Sequence, residues 1–255
     1  MTGWVEQQSK YMNINVKNLS KKFNNYSAVN NINFFLDKNK TLGLLGPNGC
    51  GKTTSIGMML GLITPSSGEV LINNQNVNSA SRNDLLSKMN FASPYIELPK
   101  KLTVKQNLEI YGRLYGVKNL KDRISEISED LDLINFLNKK TGELSSGQKN
   151  RVSLAKSLIN KPEVLFLDEP TASLDPDIGD FVRNYIEAYK TKNNITILLA
   201  SHNMKEVERL CDTVIMMKKG EIVDRGTCKD LISKHGRDNL EDTFLKIARS
   251  NDGLV

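Results

Sequence analysis

The sequence predicts an α/β fold with a mainly parallel sheet core, an antiparallel β subdomain and an inserted helical subdomain. Three observations carry this expectation. Apolar runs at residues 42–45, 164–167 and 195–199 read as strands, the last two buried on both faces. Helical segments separate them, which is how a parallel sheet is wound. Met12-Asn13-Ile14-Asn15-Val16 alternates apolar and polar residues, residues 32–36 do so in part, and the turn-rich Asn24-Asn25-Tyr26-Ser27 splits them as in an antiparallel pair. Val104, Leu108, Tyr111 and Leu114 recur at helical spacing within a segment of about 95–140 that interrupts the α/β order.

Taken in order, residues 1–10 are polar and read as a frayed tail. The apolar strand at 42–45 runs into Gly46-Pro47-Asn48-Gly49-Cys50-Gly51-Lys52-Thr53-Thr54, and a helical pattern follows at 56–60. A turn at 65–68 precedes a strand at 69–72. A strand at 89–92 leads into an irregular loop through Pro94 and Pro99. One helix opens at Thr103 and a second spans about 120–134. The α/β body resumes with the loop 143–148 and a helix to about Ile159, then the apolar strand at 164–167, a helix from Pro176 and the strand at 195–199. Residues 214–217 and 221–223 form a hairpin around Lys218-Lys219-Gly220, and the tail from Thr227 to Arg249 is helical with Leu240, Phe244 and Ile247 on one face.

With 39% hydrophobic and 25% charged residues in 255, the chain has the composition of an ordinary soluble protein with enough length for a sizeable core. Its longest apolar runs fall far short of the eighteen or so residues a spanning helix needs, and the N-terminus lacks a signal-peptide core, so a cytosolic chain is expected. Cys50, Cys211 and Cys228 lie far apart without ligand spacing and read as reduced thiols. The net charge of +6 is spread along the chain, which favours a solvated basic surface over a nucleic-acid groove.

Residues 46–54 carry the first chemistry. The pattern G-x-x-x-x-G-K-T between strand and helix makes a phosphate cradle: Gly46, Gly49 and Gly51 let the backbone curl so that N–H groups point inward at phosphate oxygens. Lys52 reaches the β and γ phosphates, the Thr53 hydroxyl is placed for magnesium, and the following helix adds about half a positive charge at its start. Asp168 ends an apolar strand, where a carboxylate can hold magnesium, and Glu169 is placed to accept the proton of an attacking water. His202 also ends an apolar strand; alone, such a histidine is more often structural than catalytic. Cys50 reads as a small filler within the cradle, and its place there predicts that an alkylating reagent blocks nucleotide binding and that bound nucleotide protects the thiol.

From residue 12 to about 248 the chain resembles the nucleotide-binding subunit of an ATP-binding cassette (ABC) transporter, a P-loop NTPase fold. Residues 46–54 match the Walker A motif and 164–169 the Walker B motif with its catalytic glutamate. Leu144-Ser145-Ser146-Gly147-Gln148 matches the signature, Ser173-Leu174-Asp175 the D-loop and His202 the switch histidine. Phe23 falls where the family places an aromatic that stacks on adenine. The resemblance implies one ABC ATPase domain over 12–249, with a helical subdomain at about 95–140 and a helical tail at about 227–249. It further implies ATP and Mg2+ as ligands, catalytic roles for Lys52, Glu169 and His202, and a second subunit, as a homodimer. The partner's Ser145 and Gly147 would contact the γ-phosphate across an isologous interface. Separate transmembrane permease subunits are implied too, with the chain peripheral on the cytoplasmic face of the membrane and no nucleic-acid partner. Residues 102–116 and 240–245 resemble the subfamily that serves ABC-2 exporters. Two rivals stand beside this: a family member acting on nucleic acid or ribosomes, a class in which a long coiled coil or a second cassette is usual and this chain has neither, and a cytosolic scaffold ATPase or regulatory binder without transport.

Two positions depart from the family pattern. Ser146 stands for the commoner glycine of the signature and would cost about 1 kcal/mol if the position required positive φ. After residue 92 the family's glutamine is missing: Phe91-Ala92-Ser93-Pro94-Tyr95 puts Ser93 or Pro94 there, and Gln106 lies too far along. Ser93 or a water is expected in its place, with altered coupling. Ser93→Ala should therefore change the ATPase rate or the transport rate; assays of both that match the parent chain would remove this role.

Overall fold

The computed structural model describes residues 12–80, 82–172 and 174–249; the polar stretch 1–10 and Ser173 of the D-loop match lie outside them. In chain order the elements are β1 (Met12–Phe23), β2 (Tyr26–Asp37), β3 (Thr41–Leu45), α1 (Lys52–Met59), β4 (Ser67–Ile72), β5 (Gln75–Asn76), α2 (Arg82–Ser87) and β6 (Met89–Ala92). There follow α3 (Val104–Leu114), α4 (Leu120–Asp130), α5 (Ser146–Leu158), β7 (Val164–Asp168), α6 (Pro176–Asn193), β8 (Thr196–Ala200) and α7 (Met204–Leu210). β9 (Thr213–Lys218), β10 (Glu221–Gly226), α8 (Cys228–His235) and α9 (Leu240–Arg249) complete the order. Two compact units contain them, Met1–Leu85 with Thr196–Val255, and Leu86–Ile195.

In the first unit, two-residue alternation and an Asn24 in the left-handed region (φ 50°) fold β1 and β2 into an antiparallel pair. This pair extends to a sheet of order β2-β1-β4-β5. A second layer centres on β3, which pairs parallel with β8 on one side and β9 on the other, while β10 pairs antiparallel with β9. All residues of β3 and β8 are buried, the condition their apolar runs require. The tail is two helices, because Gly236 (φ 59°) ends α8 in a left-handed C-terminal turn. Leu240 and Ile247 of α9 join a core cluster with Leu45, Val207, Val214, Met216 and Leu231, and Phe244 packs against it.

The second unit takes in more than the helical insert: β6 and β7 pair parallel from Met89↔Val164 to Ala92↔Leu167, and α3 to α6 belong with them. α3 opens on a capping box in which the Thr103 hydroxyl accepts from Gln106 N–H and the Gln106 side chain accepts from Thr103 N–H. The helix expected over 120–134 stops at Asp130. Asp132 adopts φ 51°, Leu133 N–H closes the turn on the Ser128 carbonyl at 2.8 Å, and a short 3₁₀ turn follows at Ile134–Phe136. β5, α2 and α7 were not expected from the sequence; each is too short for apolar periodicity to register.

Arg123 on α4 is only 5% exposed and serves as the cap of α5. Its Nη2 donates to the Leu158 carbonyl at 2.6 Å and the Tyr189 hydroxyl at 3.3 Å, its Nε to the Ile159 carbonyl at 3.3 Å, and its Nη1 to Glu126 at 2.8 Å. A cation at the carbonyls that end α5 also meets the negative end of the helix dipole. Arg123→Met keeps the stem and removes every donor, so stability should fall by about 2–4 kcal/mol in urea unfolding.

Candidate active site

The cradle lies wholly in the first unit. β3 delivers the chain to Gly46, and Gly49 (φ 78°) and Gly51 (φ 105°) carry the backbone through left-handed conformations into α1. Cys50 N–H donates to the Pro47 carbonyl at 3.2 Å and Ser55 N–H to the Gly51 carbonyl at 2.8 Å, which fixes the curl. Pro47, Asn48, Gly49 and Thr53 are exposed, and Thr54 is half-buried. Lys52 is 7% exposed; its Nζ donates to the carbonyls of Gly46 at 2.5 Å and Pro47 at 3.3 Å, so the ammonium spans its own loop. Exposed N–H groups at a helix start beside a lysine form a site for a polyanion.

Two aromatics of the β1–β2 turn belong to this unit. Phe23 is half-exposed with the Lys21 ammonium 5.0 Å from its ring centroid, so a flat ring is available while its approach is cationic. Tyr26, paired with Phe23 across the turn, donates its hydroxyl to the Gly49 carbonyl at 3.3 Å. That contact joins the aromatic turn to the cradle, and nothing in the local sequence pattern announced it. His202 is exposed beyond β8. Its flanks are held: buried Ser201 donates to buried Glu206, Asn203 N–H donates to Ser201 Oγ at 3.1 Å, and the Asn203 side chain caps α7. The spacing Asn203-x-x-Glu206 was a legible helix-start signal.

The second unit holds the acidic pair and the signature. Asp168 (4% exposed) ends β7, and Glu169 (7%) follows in the left-handed region at φ 55°. A glutamate there costs about 1 kcal/mol, which surrounding contacts must sustain. One such contact is buried Asn150 on α5, which donates to the Pro170 carbonyl at 2.6 Å. α5 itself starts on a capping box: Ser145 Oγ accepts from Gln148 N–H at 3.3 Å and the Gln148 side chain accepts from Ser145 N–H at 3.1 Å. Ser146 is the first residue of that helix and not among the positive-φ residues, so the cost considered for a serine there does not arise. Gly147 faces Ile178, which an added Cβ would meet at 3.4 Å. Asp175 caps α6 by accepting from Ile178 N–H at 3.0 Å.

The loop after β6 is a turn held through Ser93. Ser93 is buried, its Oγ accepts from Tyr95 N–H at 3.3 Å and its carbonyl from Ile96 N–H at 3.2 Å, while Tyr95 and Ile96 are exposed. The hydroxyl oxygen serves its own turn. Lys156 of α5 fastens the strand before this loop, donating to the Phe91 carbonyl at 3.0 Å beneath the Tyr111 ring, and burial pulls its pKa down to about 8. Cys50, in the cradle, is 3% exposed, and burial pushes its thiol above the ordinary range although Lys52 opposes this. Its side chain faces inward, contrary to the arrangement in which ATP would shield it. Thiolate is therefore scarce at neutral pH: alkylation of the folded chain should be slow with or without ATP, and should rise at higher pH than for an exposed cysteine, as thiol labelling across pH 7–10 would record.

Residues 29–172 match the family model described as ABC transporter. The chain is 33% identical over 221 residues to the ABC transporter ATP-binding protein NatA of Bacillus subtilis, covering 86% of this chain and 89% of that protein. It is 35% identical over 231 residues to the Nod factor export ATP-binding protein I of Burkholderia lata, covering 89% and 75%. Among solved structures, a dimeric ATP-binding cassette in a post-hydrolysis state, bound to ADP and Pi, superposes with a TM-score of 0.77 at 25% identity, covering 84% of this chain and 98% of that one. The chain belongs to the ABC transporter family as an ATP-binding, ATP-hydrolysing subunit.

Proposed function

We propose that this chain is half of the motor of an exporter: two copies close on two ATP molecules and drive separate transmembrane subunits from the cytoplasmic face of the membrane. One cassette domain over 12–249 supplies each half. The observation that carries the reading is the start of α5, where Ser145 and Ser146 stand exposed at a helix N-terminus with an intact capping box. Such a terminus suits an anion, and the chain has one cradle and one signature, so each ATP draws on two chains. Likeness to a Nod factor export protein supports export.

Residues 46, 48–51 and 54 wrap the phosphates with backbone N–H groups, Pro47 shapes the loop without a donor of its own, and Lys52 moves from its own carbonyls to the β and γ oxygens. Phe23 stacks on adenine. Thr53, with a hydroxyl in the first turn of α1, and Asp168, a buried carboxylate at a strand end, each offer a hard oxygen donor of the kind magnesium takes. Bound Mg2+ supplies charge neutralisation on the phosphates. Glu169, held by its strained backbone, accepts the proton of the attacking water, and His202 contacts the γ-phosphate. Ser145, Gly147, Gln148 and Asp175 act across the interface; the contact of Ser145 and Gly147 with the partner's γ-phosphate is lost on hydrolysis and the pair opens.

Glu169→Gln should lower phosphate release by about 100-fold or more while ATP traps a stable dimer. Size-exclusion chromatography with ATP and Mg2+ decides this, and a chain that stays monomeric would count against the two-chain site. Mild-detergent purification should recover a polytopic membrane protein with the chain; a purely soluble complex would remove the transport partner.

A further inference from the structure

The C-terminal helix α9 ends on the strand turn that backs the phosphate cradle, and one lysine joins them. Lys218, the last residue of β9, donates its Nζ to the Ala248 carbonyl at 2.5 Å and the Ile247 carbonyl at 3.4 Å. These are carbonyls of the last turn of α9, which a helix cannot satisfy internally, and the ammonium also opposes the negative end of its dipole. On either side of Lys218 the backbone touches the cradle. A Cβ at Gly46 would lie 2.5 Å from the Met217 carbonyl, so the two backbones are in direct contact. Gly220 N–H donates to the Cys50 carbonyl at 3.1 Å, and the Gly220 carbonyl accepts from Asn30 N–H at 2.8 Å.

A second route runs through side chains. Leu240 and Ile247 of α9 are buried in the cluster that contains Leu45, the residue immediately before Gly46, and Met216, immediately before Met217. The same helix therefore supports both strands from which the cradle is suspended. A backbone curl whose N–H groups must all point at one anion tolerates little displacement.

We propose that Lys218 is a positioning residue: by holding the end of α9 on the β9–β10 turn it keeps the phosphate cradle in its binding geometry, so that undocking α9 lowers nucleotide affinity. The tail is then a control point, and any partner that draws α9 away lowers ATP occupancy at the site. The nucleotide part of this inference rests on residues 46–54 being the ATP cradle; the mechanical part does not.

The test uses the full chain with Lys218→Met, which keeps the aliphatic stem and removes the donors, and Lys218→Arg, which keeps them. Hydrogen exchange without nucleotide should speed up in residues 46–54 and in α9 of Lys218→Met, and ATP affinity should fall by about three- to tenfold, less than the full effect of losing a charged hydrogen bond because the lysine acts on the cradle indirectly. Lys218→Arg should restore both to within about twofold. Exchange that rises in α9 while the cradle stays protected would overturn the link, as would unchanged exchange in both. If cradle exchange rises but the parent chain binds no ATP, the brace stands and the nucleotide reading fails. Should Lys218→Met not fold, Phe244→Ala loosens α9 without touching the lysine and is read by the same two measurements.

Discussion

The cradle depends on backbone meeting backbone. A Cβ on Gly46 would sit 2.5 Å from the Met217 carbonyl, one on Gly51 2.6 Å from the Ala28 carbonyl, and one on Gly220 2.9 Å from the same carbonyl. Three segments that are distant in sequence, the β2 strand, the cradle and the β9–β10 turn, thus converge at separations that no side chain permits. The curl of residues 46–51 is local chemistry, but its rigidity is borrowed from these neighbours. Burial of β3 between β8 and β9 fixes where the curl begins.

In the second unit the same part is played by one helix. α5 presents the exposed Ser145 and Ser146 at its start, holds the Pro170 carbonyl through Asn150, ties β6 through Lys156 and is capped at its end by Arg123. Signature, acidic strand end and post-β6 loop are therefore attached to a single rigid element. The strained Glu169 sits one residue from the Asn150 contact, which gives its unfavourable φ a specific support.

Much of the site could be read from the chain, and the reasons are local. Strands 164–167 and 195–199 declared themselves because burial on both faces demands uninterrupted apolar residues, and residues 46–54 because phosphate binding demands glycine and lysine at set spacing. Capping at Thr103 and Ser145 had a signal that went unread, a hydroxyl residue three positions before a glutamine, so residues 146–148, expected as loop, form the first turn of α5. Less legible were the short elements, the early end of α4 at Asp132 and the division of the tail at Gly236, each governed by one residue's φ.

Residue order alone established which chemistry the chain carries and the family to which it belongs, since the spacing of polar groups along one strand–loop–helix is a short-range property. Tertiary structure decided what surrounds those groups. It turned the Cys50 thiol inward, engaged the Ser93 hydroxyl oxygen in its own turn, set Tyr26 on Gly49 and brought α9 to Lys218. Each of these contacts joins a side chain or backbone group to a partner chosen by packing and hydrogen-bond satisfaction across the whole unit, and no local pattern encodes that choice.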